Sequence, residues 1–430
     1  MKIKELIEAT GAKVLTEVDK DLDVKISTDT RTIQKGDFYL PLKGASFDGE
    51  KFINQAFEKG AIGAFCTGDN GTLQVQNTLT AYLQLANYRR KKLNFTVVAI
   101  TGSSGKTTTK ELAASVLSEK FRTFKTPLNH NNEIGFCQTI FEAPDDTEIL
   151  VLEMGMRGLG EIELLSKYAE PDITIISNVG TAHIGRLGSR ENIAKAKCEI
   201  VKYQRGNIFI AHDDELIKKT VQFSGKKIFY SIKDVKILEK DTHYSKFEYY
   251  GNIYELNVGG DYNIENALSA INTGLALGMK VNEIQSGLKK YAPIEKRWEA
   301  VNAGGFEIIN DSYNANPESM RAFIDTIFEL YKKPVVILGD MGELGEDEIK
   351  YHSELGKYIN SHKNLRQDAE ILSIGKLSKY ITDGVTNCPA KHFETIEQAA
   401  AYLKNKDTKV QLFLKASRSM KFERIIEELK

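Results

Sequence analysis

From Phe95 onward the chain repeats one pattern: a short apolar run rich in valine and isoleucine, then an amphipathic stretch with helical spacing. FTVVAI, EILVLEMG, DITIISNV, NIFIA and KIFYS form a first series. FEIIND, PVVILGD, EILSIG and VQLFLKA form a second, after a change of register near KKYAPIEKRWEAV. Strands that alternate with helices bury both faces as a mostly parallel sheet covered on either side. The pattern therefore predicts an α/β fold with two doubly wound sheets. Ahead of them lie shorter strands such as DFYLPL and a helical stretch, FINQAFEKGA. Three blocks follow: a small α/β N-terminal domain over 1–85, a central domain over 86–292 and a C-terminal Rossmann-like domain over 293–430. Inside the central block, KFEYYGNIYELNV reads as a hairpin turning at Gly251-Asn252. ENALSAINTGLALG reads as a helix stopping at Gly278.

Composition narrows the function classes. At 430 residues, two or three domains are the expectation. Basic and acidic residues nearly cancel, 58 against 59, so no polyanion footprint points to nucleic acid. The four cysteines (Cys66, Cys137, Cys198, Cys388) are scattered without a CxxC pair, which fits a reducing compartment. MKIKELIEATGAKV lacks the apolar core of a signal peptide, and no apolar run is long enough to span a bilayer. A cytoplasmic protein without membrane insertion is expected.

One strand ends in a chemical motif. AITGSSGKTTTKELAA, residues 99–114, reads as strand end, glycine turn and helix start. Backbone N–H groups of such a turn, with a helix N-terminus behind them, present positive potential to phosphate oxygens. Gly102, Ser103, Ser104, Gly105, Lys106, Thr107 and Thr108 are the candidate phosphate cradle. Lys106 would reach the outer phosphates and the Thr107 hydroxyl would ligate Mg²⁺. Ile100 stands where the strict pattern has glycine, so the match is to the shorter TGxxGKT. A plain capped helix after a glycine turn is the weaker reading.

Three further residues carry chemistry only in context. Glu153 ends EILVLEMG at the C-terminal edge where ligands gather in open α/β sheets, and its carboxylate suits a hard cation. An ordinary strand-end carboxylate is as good a reading. His183 follows DITIISNVGTA, and alone it reads as a loop or core histidine. Lys197, in SRENIAKAKCEIVKY, falls on the apolar face with Ile193 and Val201. Either it snorkels to water, or desolvation favours its neutral amine, which can take up CO₂ as a carbamate.

The ordered set of motifs resembles the Mur ligases, the ATP-dependent amide-forming enzymes of peptidoglycan precursor synthesis. Its carriers are DTR at 29–31, FDG at 47–49, TGSSGKTTTKE, KTPLNHNNEIG at 125–135, VLEMG, NVGTAHIG at 178–185 and AKCEI at 196–200. YNIENALSA at 262–270, KRWE at 296–299, NDSYNANPESM at 310–320, LGDMGELG at 338–345 and KASRSMKFE at 415–423 continue the series. DSYNANPESM and LGDMGELG are most similar to the branch that adds D-alanyl-D-alanine.

The resemblance implies an N-terminal domain gripping a UDP-sugar, a central P-loop ATPase and a C-terminal domain closing over the nucleotide. It implies ATP and Mg²⁺ as cofactors, UDP-MurNAc-tripeptide and D-Ala-D-Ala as partners, and a monomer. The γ-phosphoryl would pass to the tripeptide carboxylate, and the dipeptide amine would displace phosphate from the acyl phosphate. Thr107 and Glu153 would hold one Mg²⁺. His183 and a carbamylated Lys197 would serve a second, and Lys106 would stabilise the transferring phosphoryl group. Asn266, Arg297, Asp311, Asn314 and Asn316 match nucleotide contacts. Thr30, Arg31, Asp48, Thr126, Asn129, Asn131 and Asn132 match the sugar-nucleotide side, and Ser417 and Arg418 the side of the incoming amine. The neighbouring alternative is a relative adding one amino acid, or glutamate to a folate. The alternative of another class is a nucleotide-gated binding protein that performs no ligation.

Overall fold

The computed structural model describes residues 1–44 and 47–430. The chain forms two compact units, Met1–Phe95 with Thr126–Glu148, and Thr96–Lys125 with Ile149–Lys430.

The first unit holds five short strands, Lys13–Val14, Ile26–Ser27, Phe38–Tyr39, Gly63–Cys66 and Leu73–Gln74. All neighbours pair in parallel except Lys13–Val14, which runs antiparallel to Leu73–Gln74 at one edge. Tyr39, Ile53, Ala56, Ala64 and Cys66 fill its core. DFYLPL yields only a two-residue strand, Phe38–Tyr39, because Pro41 cannot donate to a ladder. Helix Thr78–Leu93 packs on helix Glu133–Glu142 in this unit, with Tyr82 and Phe141 stacked at 5.5 Å. Arg89 closes the end of the second helix, donating to Ile140 O at 3.1 Å and Ala143 O at 2.9 Å. Those are the carbonyls a helix C-terminus leaves without partners.

The second unit contains the two predicted doubly wound sheets. The first has six parallel strands in the order Lys226–Tyr230, Ile208–His212, Ile173–Ile176, Thr96–Thr101, Ile149–Glu153 and Thr123–Lys125. Helices Lys106–Leu117 and Asp261–Ala276 pack together beside it, and Val98, Ile100, Val151 and Ile175 lie in the shared core. The strand Thr96–Thr101 lies between Ile149–Glu153 and Ile173–Ile176, where the winding reverses. Such a reversal opens a crevice at the strands' C-terminal ends.

The second sheet follows the order Glu299–Ala303, Phe306–Asn310, Leu412–Lys415, Val335–Gly339, Glu370–Ile374 and Ala390–Phe393, parallel but for its first pair. It forms the core of a C-terminal lobe. Helix Pro317–Leu330 in that lobe starts cleanly, because Asn316 accepts from Ser319 N at 2.9 Å and Pro317 occupies the first helical position.

The hairpin differs from expectation in two ways. Strands Ser245–Tyr249 and Asn252–Leu256 turn at Tyr250-Gly251, both with positive φ, and not at Gly251-Asn252. A two-residue loop with that geometry matches the right-handed twist of its strands. A third strand, Lys236–Lys240, joins the ribbon. The helix after it spans Asp261–Ala276, with Gly278 at φ +69 just beyond.

Candidate active site

The strand Thr96–Thr101 runs straight into the glycine turn, and helix Lys106–Leu117 begins at Lys106. Gly105 caps that helix at φ +76, and a Cβ there would lie 2.5 Å from Asn266 Oδ1. Glycine is thus required twice over, by conformation and by space. Asn266 also accepts from Thr109 Oγ1 at 3.2 Å, so the helix Asp261–Ala276 is bonded to the back of the loop.

The loop is scaffolded by the segment after the neighbouring strand. Ser103 N donates to Asn178 O at 3.1 Å, and Ser104 N to Asn178 Oδ1 at 3.0 Å. Asn178 Nδ2 donates back to Ser104 O and Oγ at 3.1 and 3.0 Å, and Ser177 Oγ donates to Ser104 O at 2.6 Å. Gly180 N donates to Ser103 Oγ at 2.9 Å. Lys106 folds back on its own loop, its Nζ donating to Gly102 O at 2.8 Å. Burial pushes the Lys106 ammonium below its ordinary range; Arg297 adds to that, while Glu153 and Glu343 oppose it.

Thr107 and Thr108 are buried at the helix start. The Thr107 hydroxyl accepts from Arg297 Nη2 at 2.9 Å, and the Arg297 guanidinium lies 4.0 Å over the Tyr313 ring. A guanidinium on an aromatic face keeps its in-plane donors available. The C-terminal lobe thereby brings a cation to the first turn of the phosphate helix.

Glu153 ends its strand, is 4% exposed, and has Lys110 Nζ 3.7 Å from Oε2. Lys110 also lies 3.3 Å from Glu111. Lys197, on helix Arg190–Cys198, is 1% exposed, so it does not snorkel. It has no carboxylate partner among the described residues. Burial first, and the charge of Lys106 second, hold its ammonium well below the usual lysine range. His183, at φ +67 before the short helix Ile184–Leu187, places Nδ1 2.6 Å from Glu343 Oε2. That contact draws the Glu343 carboxyl below its ordinary range, against the opposing effect of burial.

Asp311 and Asn314 follow the strand Phe306–Asn310. Asp311 Oδ2 accepts from Lys415 Nζ at 2.5 Å, and Asp311 Oδ1 accepts from Trp298 N at 3.2 Å, one residue beyond Arg297. Asn314 Oδ1 accepts from Ala315 N, and the Asn316 oxygen is used by its helix cap. Ser417 N donates to Asp340 O at 3.2 Å, with its hydroxyl buried beside Gly342. Arg418 is bonded to Glu423 at 2.6 Å.

The residues expected on the sugar-nucleotide side all lie in the first unit. Thr30 Oγ1 donates to Gln55 at 2.9 Å, and Lys59 Nζ donates to Thr30 O at 2.7 Å. Arg31 is exposed and grips Asp29 through Nε and Nη2, which holds the Asp29 carboxyl down to about 2. Asp48 caps the turn Gly49–Phe52, and Asn132 caps helix Glu133–Glu142. Thr126 is buried, and Asn131 N donates to Asn129 O at 2.7 Å in the loop before that helix.

Sequence reasoning missed Asn178, Glu318, Glu343, Lys110 and Tyr313. Each sits inside or beside a quoted motif. What identifies Asn178 and Glu318 is a partner 74 or 137 residues away in the chain. Spacing along the chain carries no such signal.

A parallel sheet whose central strand ends in a glycine-rich loop, with an arginine delivered to that loop from a second lobe, defines a P-loop nucleotide-binding enzyme. Comparisons with known proteins narrow the class. Residues 100–274 match the model of the Mur ligase middle domain, and 296–418 that of the Mur ligase, glutamate ligase domain. The UDP-N-acetylmuramoyl-tripeptide–D-alanyl-D-alanine ligase of Bacillus subtilis is 37% identical, covering 94% of this chain and 92% of its own. A crystal structure of MurF from Acinetobacter baumannii superposes with a TM-score of 0.89 at 28% identity, over 100% of this chain and 98% of that one. MurF from Thermotoga maritima in complex with ADP gives 0.84 at 28% identity, over 96% and 98%. The chain belongs to the Mur ligase family.

Proposed function

We propose that this chain is the ATP-dependent ligase that joins D-alanyl-D-alanine to UDP-N-acetylmuramoyl-tripeptide, releasing ADP and phosphate, in peptidoglycan precursor synthesis. Support comes from relatives of that name along nearly the whole chain and from a similar structure that holds ADP. The observation that carries the reading is a glycine-rich loop with Lys106 folded onto it and Arg297 bonded to Thr107 at its helix start, while the buried Glu153 and Lys197 lie within electrostatic reach of Lys106.

The reaction brings two anions together, a triphosphate and a carboxylate. Charge must be neutralised between them. Loop amides and Lys106 take the phosphate oxygens, and Arg297 adds a cation from the lobe that closes over the nucleotide. The γ-phosphoryl passes to the peptide carboxylate, the amine of D-Ala-D-Ala attacks the acyl phosphate, and phosphate leaves as the amide forms. Excluding water matters because the acyl phosphate hydrolyses.

The Thr107 hydroxyl and the buried Glu153 carboxylate are the oxygen donors that suit Mg²⁺. No cluster of three His, Cys, Asp or Glu side chains able to hold a metal occurs among the described residues. A Mg²⁺ held by Thr107 and Glu153 would draw on phosphate oxygens and water as well, which is how that ion commonly binds. It would supply charge neutralisation at the β- and γ-phosphates. His183 and Lys197 belong to a second such position in this reading. A neutral Lys197 amine adds to CO₂, forming the N–C bond of a carbamate with loss of one proton, and this turns a cation into an anionic oxygen donor. The sugar-nucleotide grip is assigned to the domain at 1–85 with the loop Thr126–Asn132, ATP to 86–292, and closure to 293–430. No helix among the described residues is long and apolar enough to cross a membrane. A cytoplasmic monomer is part of the same reading.

Purified protein given ATP, Mg²⁺, the nucleotide-sugar tripeptide and either D-Ala-D-Ala or free amino acids tests the assignment. Phosphate release is expected with the dipeptide, alongside a product of the summed mass less water. Release that is strongest with a free amino acid sinks it. Lys197→Ala should abolish ligation and regain part of it with added short carboxylates. Full activity of that variant in CO₂-depleted buffer refutes the carbamate.

A further inference from the structure

The segment Ser177–Gly185 is gripped from two sides. On one side is the phosphate loop, through Asn178 and through the bond from Gly180 N to Ser103 Oγ at 2.9 Å. On the other are two carboxylates of the C-terminal lobe. Glu318 Oε2 accepts from Thr181 N at 3.0 Å and from Thr181 Oγ1 at 2.8 Å. Glu343 holds His183, and its carbonyl accepts from Gly185 N at 3.3 Å.

Gly180 is where the two grips meet. Its N–H serves the phosphate loop, while a Cβ on it would lie 2.8 Å from Glu318 Oε2. Glu318 makes none of the capping bonds of its own helix, whose start is closed by Asn316 and Ser319. Its oxygen instead receives two charge-assisted bonds from the other lobe, the strong kind. Gly180, bonded to the Ser103 hydroxyl, adjoins Thr181, and Asn178, which aligns the amides of Ser103 and Ser104, lies three residues before it.

We propose that Glu318 is a positioning residue that couples docking of the C-terminal lobe to the shape of the phosphate loop through Thr181 and Gly180, with Glu343 as a second anchor. The proposal rests on the reading of Ser103–Thr107 as the nucleotide site. When the lobe is docked, Glu318 fixes the 178–181 segment, and that segment fixes the amides that meet phosphate. When it is released, the loop keeps its bonds to Asn178 and Gly180, but the segment that carries them loses its anchor at Thr181. Nucleotide affinity and lobe position then report on each other, as linkage requires.

The chain carries its own probe. Its one tryptophan, Trp298, is buried between Tyr262 of helix Asp261–Ala276 and Phe323 of helix Pro317–Leu330, ring centroids 5.6 and 5.7 Å away, and donates to Thr242 O. ADP binding by calorimetry and Trp298 emission on adding ADP are measured on the full chain for wild type, Glu318→Gln, Glu318→Ala, Gly180→Ala and Arg321→Ala. Gly180 does not have a positive φ, so alanine there strains no backbone and only wedges the carboxylate.

Glu318→Ala and Gly180→Ala are expected to weaken ADP by about tenfold or more and to alter the Trp298 response, with Glu318→Gln between them and wild type. In turnover the KM for ATP should rise while that for the nucleotide-sugar tripeptide, whose grip is assigned to the first unit, holds. Arg321→Ala, on the same helix, should leave both readouts unchanged, and melting temperatures should move by no more than about 4 °C. Wild-type affinity and emission in Glu318→Ala and Gly180→Ala overturn the coupling. So does loss of affinity in Glu318→Ala that tracks global unfolding while Gly180→Ala binds normally. A wild type that fails to bind ADP overturns the nucleotide reading instead.

Discussion

Asn178 bears more of the phosphate loop than any residue inside the loop, and replacing it gives a sharp test. Its side chain makes three hydrogen bonds with Ser104, at 3.0, 3.1 and 3.0 Å. Alanine removes all three, while the bond from Ser103 N to the Asn178 carbonyl survives. At about 0.5–1.5 kcal/mol each, the loss is about 1.5–4.5 kcal/mol. Part of it loosens the empty loop and part falls on the bound state. ADP affinity should therefore drop about 10- to 100-fold, at 1.4 kcal/mol per decade. Asn178→Asp is closer in shape and keeps the acceptor for Ser104 N. It loses both donations and sets an anion against the phosphates, a repulsion of about 3 kcal/mol at about 6 Å with an effective dielectric of about 20. Aspartate should thus bind ADP more weakly than alanine does, contrary to any ranking by similarity. Calorimetric titration of the two variants with ADP and Mg²⁺ decides. Aspartate binding as well as alanine, or alanine within twofold of wild type, refutes the reasoning.

Three other outcomes follow from the same geometry. Tyr313→Phe, which keeps the ring under Arg297, should bind ATP as wild type does, whereas Tyr313→Ala should raise the KM for ATP by about 3- to 30-fold; equal effects of the two would dismiss the stacking. His352 is buried, with Nδ1 donating to Glu348 O at 2.7 Å and Nε2 accepting from Met341 N at 2.9 Å. Burial, the largest cause, holds it below the ordinary 6.5, so its stabilising contribution is complete above that value and is lost as pH falls below it. The melting temperature should decline more steeply between pH 6.5 and 5 in wild type than in His352→Gln, and matching slopes would exclude the effect. Gly105→Ala should abolish detectable ADP binding, because φ +76 and the 2.5 Å approach to Asn266 Oδ1 both resist a methyl; retained binding would show that the loop relaxes freely.

The sheets were legible because strand and helix periods are local. FTVVAI and EILVLEMG mark the strands Thr96–Thr101 and Ile149–Glu153 to within a residue or two. One edge strand, Lys226–Tyr230, was legible as KIFYS, but Glu299–Ala303 at the edge of the second sheet was not: it exposes alternate residues and includes Asn302, so no apolar run announces it. Lys197 was readable as a face position, and the structure adds the burial that decides between snorkelling and desolvation. Asn316 shows the reverse, a motif residue whose oxygen turns out to be used in a helix cap. The carboxylate grips of Glu318 and Glu343 were invisible because tertiary proximity alone gives them meaning.

The first unit is assembled from two stretches of chain, and the second is entered and left between them. A ribosome therefore finishes Met1–Phe95 long before it delivers the helix Glu133–Glu142, against which Tyr82 and Arg89 are waiting. Until Glu142 has emerged, the apolar face of helix Thr78–Leu93 lacks the helix that covers it in the finished fold. Truncation at residue 95 should yield a sticky fragment, and this half produced on its own must carry the later segment as well.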